Sequence, residues 1–310
     1  MTDRRNFIGY RDGYPDIVWP NGGRLAVSFV VNVEEGAELS IADADERNES
    51  VYEAREEVIG IPDPCMESHY GYGPRVGYRR IIDALAQHDV PATFSCCGRA
   101  AARSPWLVRD VVSRGHEASC HGWRWERLAG MSEVEQRENI ARTYEAVRDA
   151  AGVAPLGWHT RSASTPDTRR LLVEHGGFLY DSDAYDDDTP YLVSLAGTSH
   201  VVLPYAFDTN DMRFQPGGGF VQPEDFTRYC LSAFERLWQE GARIPRMLSI
   251  GLHLRIIGRP ARIGALETLI DAMAARGDVW FATRAQIASH WRRECGLPDF
   301  LPRGGANGRA

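Results

Sequence analysis

Two adjacent carboxylates stand at the end of an apolar run. Arg24–Asn32 reads RLAVSFVVN, a short β-branched stretch of the kind that makes a buried strand. It runs through Val33 into Glu34-Glu35-Gly36. Paired charge at the rim of a core is costly unless a cation, a metal or a substrate compensates it, and that cost is what acid–base sites exploit. Three more strand-like runs end in polar chemistry: His116–His121 (HEASCH), Leu156–Arg161 (LGWHTR) and Met247–His253 (MLSIGLH). Taken singly, His121 or His253 reads as readily as a hydrogen-bonded core histidine. Glu, His, Arg and His at four strand ends is instead the layout of a barrel enzyme's active face.

The elements that would hold these residues alternate along the chain. Helical spacing at Gly77–His88 is followed by a strand at Val90–Cys97. Ser104-Pro105 opens a helix that stops at Gly115, and His116–Gly122 is the next strand. Ser132-x-x-Glu135 is a capping box for a long helix ending near Gly152. Leu156–Thr160, Phe178–Asp183 and His200–Tyr205 read as strands, with a helix at Pro166–His175. Pro223–Glu240 and Ile263–Arg276 are helices, with the strand Met247–His253 between them. Val279–Thr283 and Arg284–Cys295 are the last strand and helix. Seven or eight β–α steps predict an α/β fold, a distorted parallel (β/α) barrel of 7–8 strands. One domain over residues 1–310 is expected. It has a wrapping segment at 1–23, an inserted loop at 38–65 and a loosely held tail at 298–310.

Composition narrows the function. Net charge is −8 over 310 residues, which gives no basic footprint for nucleic acid. No apolar stretch is long enough to span a membrane, and no signal peptide is visible. Six unpatterned cysteines fit reduced thiols in a cytoplasmic protein. The aromatic N-terminal segment suits an interface, so a homo-oligomer is expected.

The strings NVEEGAE (32–38), MESHYGYGPRVG (66–77), ASCHGWRW (118–125), PLGWHTR (155–161) and SIGLHLRIIGRP (249–260) together resemble the polysaccharide deacetylase superfamily. The nearer likeness is to its ureide-hydrolysing, allantoinase-like branch, and it covers about Phe7 to Trp291. Two departures stand out. The superfamily's usual Asp-Asp pair is matched by Glu34 and Glu35. Its metal motif has two His residues four apart; His121 matches the first, but Trp125 occupies the second, and an indole cannot coordinate a cation in place of imidazole. The resemblance therefore implies that no cofactor is required. The alternative is one weakly bound divalent metal such as zinc on Glu35 and His121.

Hydrolysis of an amide-like C–N bond needs an activated water, a stabilised oxyanion and a proton for the leaving nitrogen. Glu34, Glu35, His121, Arg161 and His253 are the catalytic candidates. Glu34 is the expected base, Arg161 orients Glu34 or holds an anionic substrate end, and the two histidines polarise and return a proton. Trp123 and Trp125 offer a flat wall for a small ring. Glu67 belongs to a possible lid, and Asp211 lies in a polar loop on the active side; both are candidate substrate contacts. The expected function is ring-opening hydrolysis of a small cyclic ureide such as allantoin. The alternatives are a cyclic-imide hydrolase, a carbohydrate N-deacetylase, and a catalytically dead barrel that binds ureides or sugars.

Overall fold

The computed structural model describes residues 6–50, 56–161, 164–195 and 197–302. Among the described residues nine strands are present: β1 (Leu25–Val33), β2 (Ala92–Cys96), β3 (Glu117–Cys120), β4 (Gly157–Trp158), β5 (Tyr180–Asp181), β6 (Tyr191–Leu195), β7 (Thr198–Val202), β8 (Met247–His253) and β9 (Val279–Phe281). The helices are α1 (Pro64–Tyr72), α2 (Tyr78–Ala86), α3 (Gly98–Arg103), α4 (Pro105–Ser113), α5 (Glu133–Ala151), α6 (Thr168–His175), α7 (Pro223–Glu240), α8 (Ile263–Ala274) and α9 (Arg284–Glu294).

β1 is buried along its whole length and organises the sheet. One edge pairs in parallel with β8 from Ala26 to Asn32. The other edge takes β9 at Leu25–Val27 and β2 at Phe29–Val33. From there the sheet runs outward through β3, β4, β5 and β7 to β6. Burial on both faces explains why β1 and β8 read as continuous apolar runs rather than alternating ones. Phe29, Phe94, Phe226 and Phe234 fill the space beneath the helices.

The expected distorted (β/α) barrel is present, with one departure from parallel pairing. β6 and β7 form an antiparallel pair, Tyr191 opposite Val202 through Leu195 opposite Thr198. The connection, which holds Gly197 at φ 75°, is too short for the crossover that parallel pairing needs. The result is a mixed sheet curled into a half-barrel. Its end strands β6 and β8 do not pair. Residues after β7 lie along the free edge of β8 instead. Gly251 N–H donates to the Thr209 carbonyl at 3.0 Å, and Thr209 Oγ1 donates to the Ser249 carbonyl at 2.6 Å.

The capping box at Ser132 and Glu135 forms, and Gly152 ends α5 in the left-handed conformation. The helix that reads as starting at Gly77 begins earlier. α1 runs through a π-helical turn, Gly73–Gly77, into α2. Gly73, Pro74 and Gly77 look like breakers, but the glycines serve close packing. A Cβ on Gly73 would lie 2.6 Å from the Glu35 carboxyl, and one on Gly77 would lie 2.0 Å from the Leu254 carbonyl oxygen. Of the expected 38–65 loop, residues 51–55 lie outside the described residues, as do 303–310 of the 298–310 tail. The rest of the loop is tied down, with Arg124 on Asp45 and the Ser40 hydroxyl on Glu67 at 2.8 Å. In the N-terminal segment, Trp19 is buried against Trp280 and Trp291.

Arg284 braces the sheet from inside and is 1% exposed. Its guanidinium donates to Ser182 Oγ and Ser249 Oγ, each at 2.9 Å, and to the Leu203 and Pro204 carbonyls. These partners belong to segments far apart in sequence, on both sides of the unpaired seam. Arg284→Met orphans all four acceptors and is expected to cost at least about 3 kcal/mol of stability, read as a lower midpoint in urea unfolding.

Candidate active site

Glu34 leaves the C-terminal end of β1 with its side chain fully buried. Its Oε2 accepts a 2.8 Å bond from Arg255 Nη1. Its Oε1 has no hydrogen bond, although His121 Nε2 and His253 Nε2 each lie 3.4 Å away. Burial pushes this carboxyl toward protonation, but His253 and Arg255 outweigh it and hold Glu34 well below the usual carboxylate range. Glu35 points the other way, beneath Gly73. Its Oε1 accepts from the Arg255 backbone N–H at 3.2 Å and lies 3.4 Å from Arg255 Nη1. Burial and the adjacent Glu34 push Glu35 up to about 7 against the pull of Arg255.

His121 follows β3. Its Nδ1 lies 2.7 Å from the His159 carbonyl, which can only accept, so Nδ1 carries the proton. His253 ends β8. Its Nδ1 lies 2.6 Å from Asp211 Oδ1. Burial favours the neutral ring, but Glu34 and Asp211 overcome it and raise His253 from 6.5 to about 9. His253 is therefore an imidazolium held between two carboxylates. His159 is also buried, its ring stacked on His121 at 4.9 Å and tilted against Tyr205 at 4.3 Å between centroids. Burial, with His121 and Arg284 nearby, holds His159 well below the ordinary imidazole range, so this ring is neutral.

Glu34, His121, His159 and His253 line a cleft of about 470 Å³ with Asn32, Trp125, Arg127, Arg161, Tyr205, Phe207, Asn210 and Met212. Arg161 stacks its guanidinium 3.5 Å over the Trp125 ring and donates to the Trp125 carbonyl at 2.8 Å.

Of the residues expected from the sequence, Glu34, His121, Arg161, His253 and Trp125 meet in this cleft. Glu35 sits behind it, joined through Arg255. Four expectations are corrected. Trp123 lies outside the cleft, on α5 under the Arg142 guanidinium, because the turn after Gly122 sends the two indoles apart. Glu67 is used up locally as the acceptor for Ser40 Oγ. Asp211 is fully buried and takes His253 Nδ1, the His253 N–H and the Ile257 N–H, so it orients His253 rather than meeting substrate. Arg161 does not orient Glu34; Arg255 does.

Sequence reasoning missed Arg255, His159, Asn32 and Tyr205. Arg255 and His159 each stand two residues from a residue already singled out, His253 and Arg161. The period-2 rule for residues sharing a strand face could have flagged both.

The fold and this cleft define a hydrolase of amide-type C–N bonds, built from residues at the strand ends of a (β/α) barrel. A polysaccharide deacetylase family model matches residues 62–180. A Schizosaccharomyces pombe protein that carries the polysaccharide deacetylase name is 35% identical over 88% of this chain and 92% of its own length. The chain belongs to the polysaccharide deacetylase family. The crystal structure of PuuE allantoinase is 42% identical, with a TM-score of 0.90 over 94% of this chain and 98% of that one. A Pseudomonas aeruginosa PAO1 structure with the polysaccharide deacetylase name matches at 42% identity and TM-score 0.90, over 96% and 100%.

These relatives overturn the expectation that no cofactor is required, because deacetylases of this family are typically metal-dependent. A family 4 acetyl xylan esterase from Clostridium thermocellum, 17% identical with TM-score 0.51 over 88% of this chain and 93% of that one, is in complex with a cobalt ion. The pair expected to hold such an ion, Glu35 with His121, is not brought together: Glu35 turns to Arg255, and His121 faces Glu34. Among the described residues no group of three or more His, Cys, Asp or Glu is placed to hold a metal. Trp125 is flanked instead by two guanidiniums, Arg161 at 3.5 Å and Arg255 at 5.3 Å. This donor set does not fit the family's ion, and no step below is routed through one.

The His253 imidazolium persists until pH rises through about 9. Its contribution to stability is complete below about 6.5, its ordinary value, and is lost as pH rises through about 9. If it is the proton donor, turnover falls along the same limb. Asp211→Asn removes one of its two carboxylate neighbours, so the alkaline limb of the kcat profile should move down by about a pH unit or more.

Proposed function

We propose that this protein hydrolyses the ring C–N bond of a small cyclic ureide of the allantoin type. The observation that carries the reading is the cleft itself. It is small, lined by the side chains of Trp125, Tyr205 and Phe207, and closed at its base by a carboxylate between two imidazoles. A planar five-membered ring suits such walls better than a polymer does. The 42% identity to PuuE allantoinase across nearly the whole chain supports the same reading.

The reaction follows from the proton positions. His121 keeps its proton on Nδ1, so Nε2 carries a lone pair in the neutral ring. That nitrogen and Glu34 Oε1, 3.4 Å apart, face a common point in the cleft. A water there gives its proton to His121 Nε2, while Glu34 orients the water and stabilises the imidazolium that forms. The water oxygen bonds to the ring carbonyl carbon. As the tetrahedral adduct collapses, the C–N bond breaks and His253 gives its proton to the departing nitrogen. This moves the base from Glu34, where the sequence suggests it, to His121 with Glu34 as its partner. Arg161, half-buried on Trp125, offers its fork to the new carboxylate. The family name on the S. pombe relative favours a second reading, N-deacetylation of a carbohydrate.

Purified protein assayed against allantoin, hydantoin, succinimide and a chitin oligomer separates the readings. Turnover of a ureide ring well above the imide and the oligomer is expected, and preferential release of acetate from the oligomer would replace this reading with the second. On the ureide, Glu34→Gln and His121→Ala should each lose about a hundredfold or more in kcat. Added imidazole should partly restore His121→Ala and leave Glu34→Gln unchanged.

A further inference from the structure

Buried polar atoms in folded proteins are almost always hydrogen-bonded, so each exception needs a reason. Three of the exceptions here belong to residues that line the cleft: Glu34 Oε1, Asn32 Oδ1 and His159 Nδ1. The mechanism uses the first. The other two have no role so far.

The Leu252 carbonyl fixes the Asn32 amide, and the Tyr185 hydroxyl can set the His159 tautomer. Asn32 Nδ2 lies 3.2 Å from the Leu252 carbonyl, which can only accept. The amide nitrogen must therefore face Leu252, and the amide oxygen must face away as a free acceptor. The same Nδ2 is 3.3 Å from the Tyr205 hydroxyl. Tyr205 then packs its ring, tilted, against His159 at 4.3 Å. His159 Nε2 lies 3.4 Å from the Tyr185 hydroxyl, a donor suited to a neutral imidazole nitrogen. With Nε2 accepting, the ring's proton sits on Nδ1, which becomes a free donor. Asn32 and His159 thus meet the same tyrosine, one at its hydroxyl and the other at its ring, and both residues line the cleft, one with an unpaired acceptor and one with an unpaired donor.

We propose that Asn32 and His159 are the specificity-determining pair of this site. Asn32 Oδ1 accepts a ring N–H of the substrate, and His159 Nδ1 donates to the adjoining carbonyl oxygen that is not attacked. The pair rests on the cyclic-ureide reading and deepens it. A ureide ring presents an N–H beside a second carbonyl on the edge away from the scissile bond, whereas an N-acetyl sugar has one amide and that amide is the one cleaved. His159 also has a structural tie, since its main-chain carbonyl fixes the His121 tautomer. Side-chain changes at 159 leave that carbonyl in place, so the two roles can be tested apart.

The test uses the ureide that wild-type protein turns over best, together with forms of it methylated on either ring nitrogen. His159→Phe keeps an aromatic ring in the stack and removes the donor. Its KM should rise about tenfold while kcat falls less than threefold. Asn32→Ala should lose the discrimination between parent and N-methyl substrate that wild type shows, expected at about tenfold or more. The N-methyl comparison on wild type needs no variant to fold. If no cyclic ureide is turned over, the reading of the function fails and the pair fails with it. If a ureide is turned over but both N-methyl forms react as well as the parent, or His159→Phe keeps KM within twofold, the pair alone is refuted.

Discussion

The burial of Glu34 is the constraint on which the rest of the site depends. A lone carboxylate at that depth is worth several kcal/mol of instability, so the surroundings are organised to hold its charge. Arg255 takes one oxygen and His253 faces the other. Arg255 must in turn be held, and Glu35 does so from beneath. His253 must stay charged, and Asp211 ensures it. Each group is present because the previous one would be unstable without it. The cleft therefore has one carboxylate that cannot be protonated at ordinary pH beside one imidazolium that cannot easily lose its proton.

That charge pattern bears on the family to which the chain belongs. The place where a second metal-binding histidine would stand is filled by Trp125, and the adjacent carboxylates are matched by a guanidinium. A guanidinium is permanently charged and directional, and it holds both glutamates in fixed orientation. The same fork-and-plane chemistry recurs where Arg161 lies on Trp125. Aromatic faces and arginines thus make the walls, and imidazoles and a carboxylate make the floor.

Much of this was legible in the sequence, for a simple reason. β1 and β8 are buried on both faces, so their apolar runs and the polar residues that end them stand out without any partner being known. Pro223–Glu240 and Met247–His253 have the bounds their patterns imply. The sequence is silent where geometry is tertiary. Glu34 is held by a residue 221 positions away, a pairing no local pattern reveals. β4 and β5 are two residues long and have almost no period to read. Asp211 looked like a loop residue free to meet ligand because the strand it lies against comes forty positions later. The helix reads as starting only at Gly77 for the same reason: the partner surfaces of Gly73 and Gly77, Glu35 and Leu254, are distant in sequence.

The unpaired seam beside β8 carries a consequence for how the molecule comes together. Thr209 and Asn210 lie along the free edge of that strand, and the very next residue is the carboxylate that charges His253. Closing the sheet and arming the proton donor are thus a single event in the life of the chain. The contacts involved join residues about forty positions apart, so they do not form with the local helices. An intermediate with its central strands paired and its seam open would pass for native by its secondary structure and yet be chemically inert. Recovery of activity during refolding is then a clock for the final stitch of the barrel rather than for its collapse.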